Sequence, residues 1–348
     1  MIIGDALSRV TTIEVELGGD SEEDLPPVFK TVADELARAT GASIAFDSIP
    51  DPTRPQEGTF HLLREMPVRD VEVGGNPPGD SVVLCLREDG SGYLAARPLH
   101  LLFPFVTHLL KDRAEDDLLE VAEGKIFRSA FSWQRSTFDF FLTQDGRIQK
   151  GLDRDQYVRR LAESGFTHME VNGLAFPAPI ETGPPEETYP MFYTYCPALD
   201  QFVESDLGAG LYPEDYLSAN LAFLKRNAEL ARKYGLVPGL LCFEPRSVPE
   251  EFFQRYPMLR GARVDHPFRS FKPRYNMTIA HPSVREHYGQ MVEKLMDEVP
   301  ELGFLSIWTN DSGAGFEHTQ SLYVGRNGGA YLIREWKNEG EIAKAAGD

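Results

Sequence analysis

Two stretches of this chain place carboxylates where catalytic loops are expected, one of them beside an amide and an aromatic ring. Residues 302–317, LGFLSIWTNDSGAGFE, read as a short buried strand that runs into a polar, Gly-rich loop carrying Asp311 and Glu317, with Trp308 and Asn310 beside them. In an α/β barrel the loops after the strands hold the catalytic groups. A further carboxylate, Glu244, ends the apolar run 237–243 and is followed by Pro245 and Arg246. Hydrolysis of a glycosidic bond takes two carboxyl groups, one to protonate the leaving oxygen and one to activate water or attack directly. Asp311 is the first candidate for the acid, although an Asp ahead of a Gly also forms turns by bonding backbone N–H groups. Glu317 follows Gly315 and Phe316, on a loop that can carry it inward or leave it solvated. Glu244 faces the mouth of such a barrel or pairs with Arg246, and the two roles are compatible.

Residues suited to holding a substrate flank these acids. Arg128 and Arg135 bracket the run 127–133 and present the planar fork that matches a carboxylate or paired hydroxyls. A salt bridge to Asp139 or to the N-terminal region is the competing reading. Trp133 and Trp308 at strand ends offer stacking platforms, or core. Asn172, after the strand 168–171, is a hydroxyl ligand or a turn former. Tyr189, Tyr193 and Tyr195 lie in the long Pro- and aromatic-rich insertion 174–211 and form either a wall of the cleft or the anchor of that loop. His266, His281, His287 and His318 share no metal-ligand spacing, so no metal is expected. No Gly-rich dinucleotide or phosphate loop and no acyl-transfer signature is present, so no cofactor is expected either.

Composition narrows the partners. The 348 residues are 42% hydrophobic and 26% charged, ordinary for a globular protein, with a net charge of −19. That charge opposes phosphate backbones and excludes nucleic acid as a partner. Cys85, Cys196 and Cys242 are far apart and odd in number, which favours a reducing compartment. The N-terminal residues lack the basic and apolar regions of a signal peptide, and no apolar run approaches a membrane span. The expectation is a cytoplasmic protein with no membrane partner.

The elements that must position these groups follow from periodicity. Strands are predicted at 11–17, 42–46, 60–63, 81–86 and 92–96, helices at 28–40 and 100–110, the latter interrupted at Pro104. From residue 126 the pattern becomes a βα series: strands 127–133, 168–171, 237–243 and 304–309, with helices 153–164, 216–234 and 283–298. Strands that are apolar on both faces and joined by helices are parallel and buried. The predicted fold class is therefore α/β, a small N-terminal α/β domain over 1–120 followed by a (β/α) TIM-type barrel over 121–348. A full barrel takes about 250 residues and eight units; only four are readable here, so an incomplete barrel is expected. An open parallel edge needs a cover, which predicts a homo-oligomer.

At this point the residues resemble a known family, the α-glucuronidases of glycoside hydrolase family 67. The segment GYLAARPLHLLFPFVTHLL looks like the end of the N-terminal domain those enzymes share with β-hexosaminidases. Arg128 and Trp133 match the Arg and Trp of the family's first barrel strand. YVRRLAESGFTHMEVNGL, LAFLKRNAELARKYGLVPGLLCFEPRS and HPSVREHYGQMVEKLMDEVPELGFLSIWTNDSGAG are similar to its next three helix–strand units. The chain departs from the family at Ser312, where the resemblance implies the general-acid Glu, and at Gln134, where it implies an Asp; the family's base lies on later strands. The resemblance implies a glycoside hydrolase-like protein acting on an oligo- or polysaccharide, in its finer form a uronic acid glycoside. Two rivals stand beside it: a non-catalytic glycan-binding protein, and a metal-dependent sugar isomerase or epimerase using Glu244, Asp311 and a His.

Overall fold

A computed structural model describes residues 1–49, 51, 54–67, 80–136, 153–175, 197–263 and 274–308. The chain divides into two compact units. One comprises Met1–Ser136, Asp155–Met169 and Glu229–Val237; the other comprises Thr137–Arg154, Glu170–Ala228 and Pro238–Asp348.

The first unit is built on a six-stranded sheet of β1 (Thr12–Glu16), β2 (Ser43–Asp47), β3 (Thr59–Leu63), β4 (Ser81–Leu86), β5 (Gly92–Arg97) and β6 (Lys125–Arg128), in the order β2-β1-β3-β5-β4-β6. The first four in that order are parallel, and β4 runs antiparallel to both its neighbours. Strand β1 alternates, with Ile13 and Val15 at 0% exposure. A short helix α1 (Ile3–Leu7) precedes it, and α2 (Pro27–Thr40) packs on the sheet through Val28, Phe29, Val32, Ala33 and Leu36, one face of a 3.6-residue period. Each such buried side chain stabilises the unit by about 1.5–3 kcal/mol. Helix α2 stops at Gly41, whose φ of 78° is the left-handed cap that glycine adopts without strain.

Helix α3 (Leu102–Asp112) runs unbroken through Pro104, contrary to the predicted interruption. Pro104 sits in the first turn, where its missing N–H would have no intrahelical partner. The sheet holds a second correction. Residues 127–133 are not the first strand of the βα series: Lys125–Arg128 instead form β6, the antiparallel edge of this sheet, paired from Ser81↔Arg128 to Leu84↔Lys125. Gly124, at φ 91°, turns the chain into it, and Phe127 packs against Phe105 with ring centroids 5.0 Å apart. A parallel bridge between Arg135 and His168 then stands where the βα series begins.

Helix α4 (Arg154–Glu163) ties to α2 through Arg159, which donates to Glu35 Oε1 at 2.6 Å and Oε2 at 3.0 Å and to Glu163 at 2.9 Å. Tyr234 donates to Asp155 Oδ2 at 2.7 Å and sets its ring edge on Phe103.

The other sheet is parallel, in the order β11-β8-β7, of β7 (His168–Glu170), β8 (Val237–Phe243) and β11 (Phe304–Trp308). The register of β8 and β11 runs from Gly239↔Phe304 to Phe243↔Trp308. A Cβ on Gly239 would run into the Phe304 ring, so only glycine fits there. Helices α5 (Glu214–Lys233) and α7 (Pro282–Glu298) connect the strands, with Pro282 at the first turn of α7 as its ring geometry favours. Between β8 and α7 lie α6 (Glu250–Arg255) and an antiparallel pair, β9 (Arg260–Arg263) and β10 (Tyr275–Met277), closed over Val248, Phe252, Phe253, Leu259, Met277 and Val284. Parallel strands joined by helices give the α/β class that the apolar runs predict.

Candidate active site

Glu244 is the best-placed acid among the described residues. It follows the last residue of β8, at the C-terminal end of a parallel strand, where its backbone N–H donates to Trp308 O at 3.2 Å. Only 6% of it is exposed. Its Oε1 accepts from the Leu199 N–H at 2.7 Å; its Oε2 accepts from the Arg246 N–H at 3.0 Å and from the Tyr288 hydroxyl at 3.2 Å. Burial pushes the carboxyl up to about 7, against the opposing pull of the Leu199 N–H, the Arg246 guanidinium and the remaining donors. Burial and the nearby carboxyls of Glu244 and Asp200 raise the Tyr288 hydroxyl well above its ordinary value, so it remains a donor at neutral pH.

The Leu199 donor is fixed by its own supports. It opens the 3-10 turn Leu199–Gln201, where Gln201 Oε1 accepts from the Ala198 N–H at 2.9 Å and Gln201 Nε2 donates to the Tyr216 hydroxyl at 3.1 Å. Asn220 on α5 donates to Gln201 O at 2.9 Å and accepts from the Ala175 N–H at 3.0 Å. A chain of buried polar groups on α5 therefore aims one backbone N–H at one carboxyl oxygen. Arg246 is 1% exposed, with its guanidinium 5.1 Å from the centre of the Phe243 ring. Burial favours the protonated carboxyl while the three donors and Arg246 favour the ionised one, an opposition that suits a group meant to transfer a proton.

The other predicted residues divide between the units. In the second, Asn172 is 2% exposed just past β7, and Trp308 ends β11 with its ring edge 5.0 Å from Phe243. That places Glu244, Arg246 and Trp308 on adjoining strand ends. In the first, Arg128 is exposed at the end of β6, and Arg135 bridges to His168. Trp133, 53% exposed, stacks on the His168 ring at 3.5 Å. Burial, helped by His100 and the Arg135 charge, lowers His168 to about 4, so this ring is neutral. Asp311, Glu317 and Asn310 lie outside the described residues, as do Tyr189, Tyr193 and Tyr195.

Sequence reasoning missed Tyr288, Leu199, Asp200 and Glu170, the last fully buried in β7. Glu170 had a readable signal, a charged residue inside an apolar strand. Tyr288 and Leu199 had none, because they reach Glu244 from a helix face and from a turn inside the long insertion. His281 caps α7 by accepting from the Ser283 N–H at 3.2 Å. Among the described residues no group of three or more His, Cys, Asp or Glu is arranged to hold a metal, and no helix is long and apolar enough to cross a membrane.

No protein-family model matches the chain, and no curated protein matches it. Solved structures with a related arrangement include a family 138 glycoside hydrolase targeting pectin rhamnogalacturonan II, at 11% identity and a TM-score of 0.45 over 85% of this chain and 30% of that one. A family 89 glycoside hydrolase from Clostridium perfringens aligns at 12% identity and a TM-score of 0.42 over 71% of this chain and 30% of its own. A β-N-acetylhexosaminidase from Bacteroides fragilis aligns at 10% identity and a TM-score of 0.41 over 89% and 53%. The chain thus spans between about a third and about half the length of these glycoside hydrolases.

Proposed function

We propose that this chain is a glycoside hydrolase-like protein in which Glu244 handles the proton at the scissile glycosidic oxygen. One observation carries the reading: a buried carboxyl at the C-terminal end of a parallel strand, held by the Arg246 N–H and the Tyr288 hydroxyl, with burial pushing its pKa upward. A general acid needs a pKa close to the working pH, and this environment supplies it. In its finer form the substrate is a uronic acid glycoside of an oligo- or polysaccharide, the Arg246 guanidinium favouring a carboxylate-bearing sugar; the α-glucuronidase resemblance points the same way. Asp311 and Glu317 are the candidates for the second carboxyl, with Arg128, Trp133, Arg135, Asn172, Trp308 and Asn310 for holding the sugar. We propose the division at residues 120 and 121, and a cytoplasmic location, on the sequence reading alone.

A second reading has its own support. Both oxygens of Glu244 are already engaged by the protein, which suits a scaffold that binds a glycan without cleaving it. Release of reducing sugar from uronic acid-containing oligosaccharides, measured for the wild type and Glu244→Gln, tests the choice. Hydrolysis that falls by about 10²-fold or more in the variant and declines above pH 7 supports the acid. Glycan binding without turnover in both proteins supports the scaffold.

A further inference from the structure

Two consecutive residues of α7 turn polar groups into the protein, Tyr288 to Glu244 and His287 to Ser205. Ser205 and His287 are each 2% exposed, and Ser205 Oγ stands 2.5 Å from His287 Nδ1. The Gly208 N–H donates to the same Oγ at 2.9 Å, which leaves the hydroxyl hydrogen for Nδ1. A buried pair of this kind is costly to break, because each partner would be left unmatched.

Its neighbours extend the pair into a seam. Gln290 accepts from the Asp206 N–H at 2.9 Å and donates to Asp206 Oδ2 at 3.1 Å, and Lys294 donates to Glu204 O at 2.8 Å. Residues 287, 290 and 294 share one face of α7, so three consecutive residues, Glu204 to Asp206, are fixed along it. Of these contacts the one between Ser205 and His287 is buried and the others are exposed. The segment fixed in this way is also the one that carries Leu199, whose carbonyl accepts from the Phe202 N–H at 3.0 Å and from the Val203 N–H at 3.3 Å. Leu199 holds Glu244 Oε1 from that turn, and Tyr288 holds Oε2 from the helix. The Ser205–His287 bond joins the two supports.

We infer that Ser205 and His287 are positioning residues for Glu244: their bond sets the spacing between the Leu199 N–H and the Tyr288 hydroxyl, and so the grip of both donors on the ionised carboxyl. Its bearing on the reaction rests on Glu244 handling the proton; its bearing on the carboxyl does not. Burial lowers His287 to about 4, so the ring is neutral where Glu244 titrates, and replacing it removes a contact rather than a charge. Arg246 and Tyr288 face Glu244, with Asp200 and Cys242 around Tyr288, and the variants below alter none of them.

The test follows the Glu244 carboxyl by ¹³C NMR in the full chain labelled at glutamate carboxyl carbons, the signal being assigned by its loss in Glu244→Gln. In Ser205→Ala and in His287→Phe the midpoint is expected to rise by about 0.5 pH unit or more, since weakened donors favour the protonated form. The double variant should move it no further than either single change, as for two partners of one bond. His287→Asn returns a polar atom near the place of Nδ1 and should bring the midpoint back toward the wild type. Lys294→Ala cuts an exposed part of the seam and should leave it in place. Ser205→Ala removes a single oxygen, and where His287→Phe does not fold, Ser205→Ala and His287→Asn are compared. A midpoint unchanged in folded Ser205→Ala, or moved equally by Lys294→Ala, overturns the assignment. A midpoint that moves in a protein without hydrolytic activity supports the positioning of the carboxyl and overturns only the acid reading.

Discussion

Replacing Glu244 by Gln keeps the side chain's shape but exchanges an acceptor oxygen for a donor, so one of Leu199 N–H, Arg246 N–H and Tyr288 Oη loses its partner. The folded carboxyl titrates near 7, above its value of 4.5 in an unfolded chain. A group raised in this way contributes its full stability below the unfolded value, and that contribution is lost as pH rises through the folded one. The urea midpoint of the wild type should therefore fall between pH 4.5 and 7, and Glu244→Gln should remove that part of the slope. Tyr288→Phe deletes a donor that favours the ionised form, so it should move the fall to higher pH and cost about 1 kcal/mol. An unchanged titration in Tyr288→Phe would mean that the hydroxyl has no hold on the carboxyl. Glu244 and Arg246 were legible in the sequence because a long apolar run announces a buried strand, and its end announces a site. Their partners were not, since no local pattern records which turn or helix face, 45 and 44 residues away along the chain, returns to that strand end.

Among the elements, the parallel sheet depends on a glycine, and the joint between α4 and α2 on an ion pair. Gly239→Ala drives a Cβ into the Phe304 ring, and overpacking of this kind costs about 1–3 kcal/mol. Chemical denaturation should show that loss, and a neutral outcome would mean that β11 shifts at little cost. Arg159→Ala removes the two-pronged contact that joins α4 to α2, with an expected loss of about 1–2 kcal/mol. Arg159 holds Glu35 below its ordinary pKa of 4.5, so this pair's contribution is present above that value and lost as pH falls through the lowered one. The variant should show a weaker decline than the wild type in acid, read from the same denaturation series. Most regular elements were legible: 81–86 and 237–243 are strands to the residue, and α2 ends at Thr40 as the helix predicted over 28–40 does. The failures have physical causes. Pro104 was read as a break without regard to its place in the first turn. Strand β6 was read as parallel because its residues suit either direction, and only pairing with β4 decides. The β9–β10 pair contains the run RGAR and carries no alternation to detect.

For the molecule as a whole, β11 turns Leu305 and Ile307 outward, at 37% and 54% exposure. The sequence reading expects a second copy over an open sheet edge, and we propose this apolar face as a place for such a contact. Ile307→Lys should reduce self-association in light scattering while changing stability by no more than about 0.5 kcal/mol. Scattering identical to the wild type would place any contact between copies elsewhere. The α/β class was legible at this scale, from the alternation of apolar runs with amphipathic helices; the strand order β2-β1-β3-β5-β4-β6 was not, since pairing between distant runs decides it. The composition of the first unit also bears on how the protein is made. Its residues arrive in three instalments, Met1–Ser136, Asp155–Met169 and Glu229–Val237. A ribosome adding about 5–20 residues per second needs several seconds to pass from the first instalment to the last. Through that interval Phe103 lacks Tyr234, and Glu35 lacks Arg159 until α4 emerges. The nascent chain therefore carries an unfinished first unit while its closing pieces are still being synthesised.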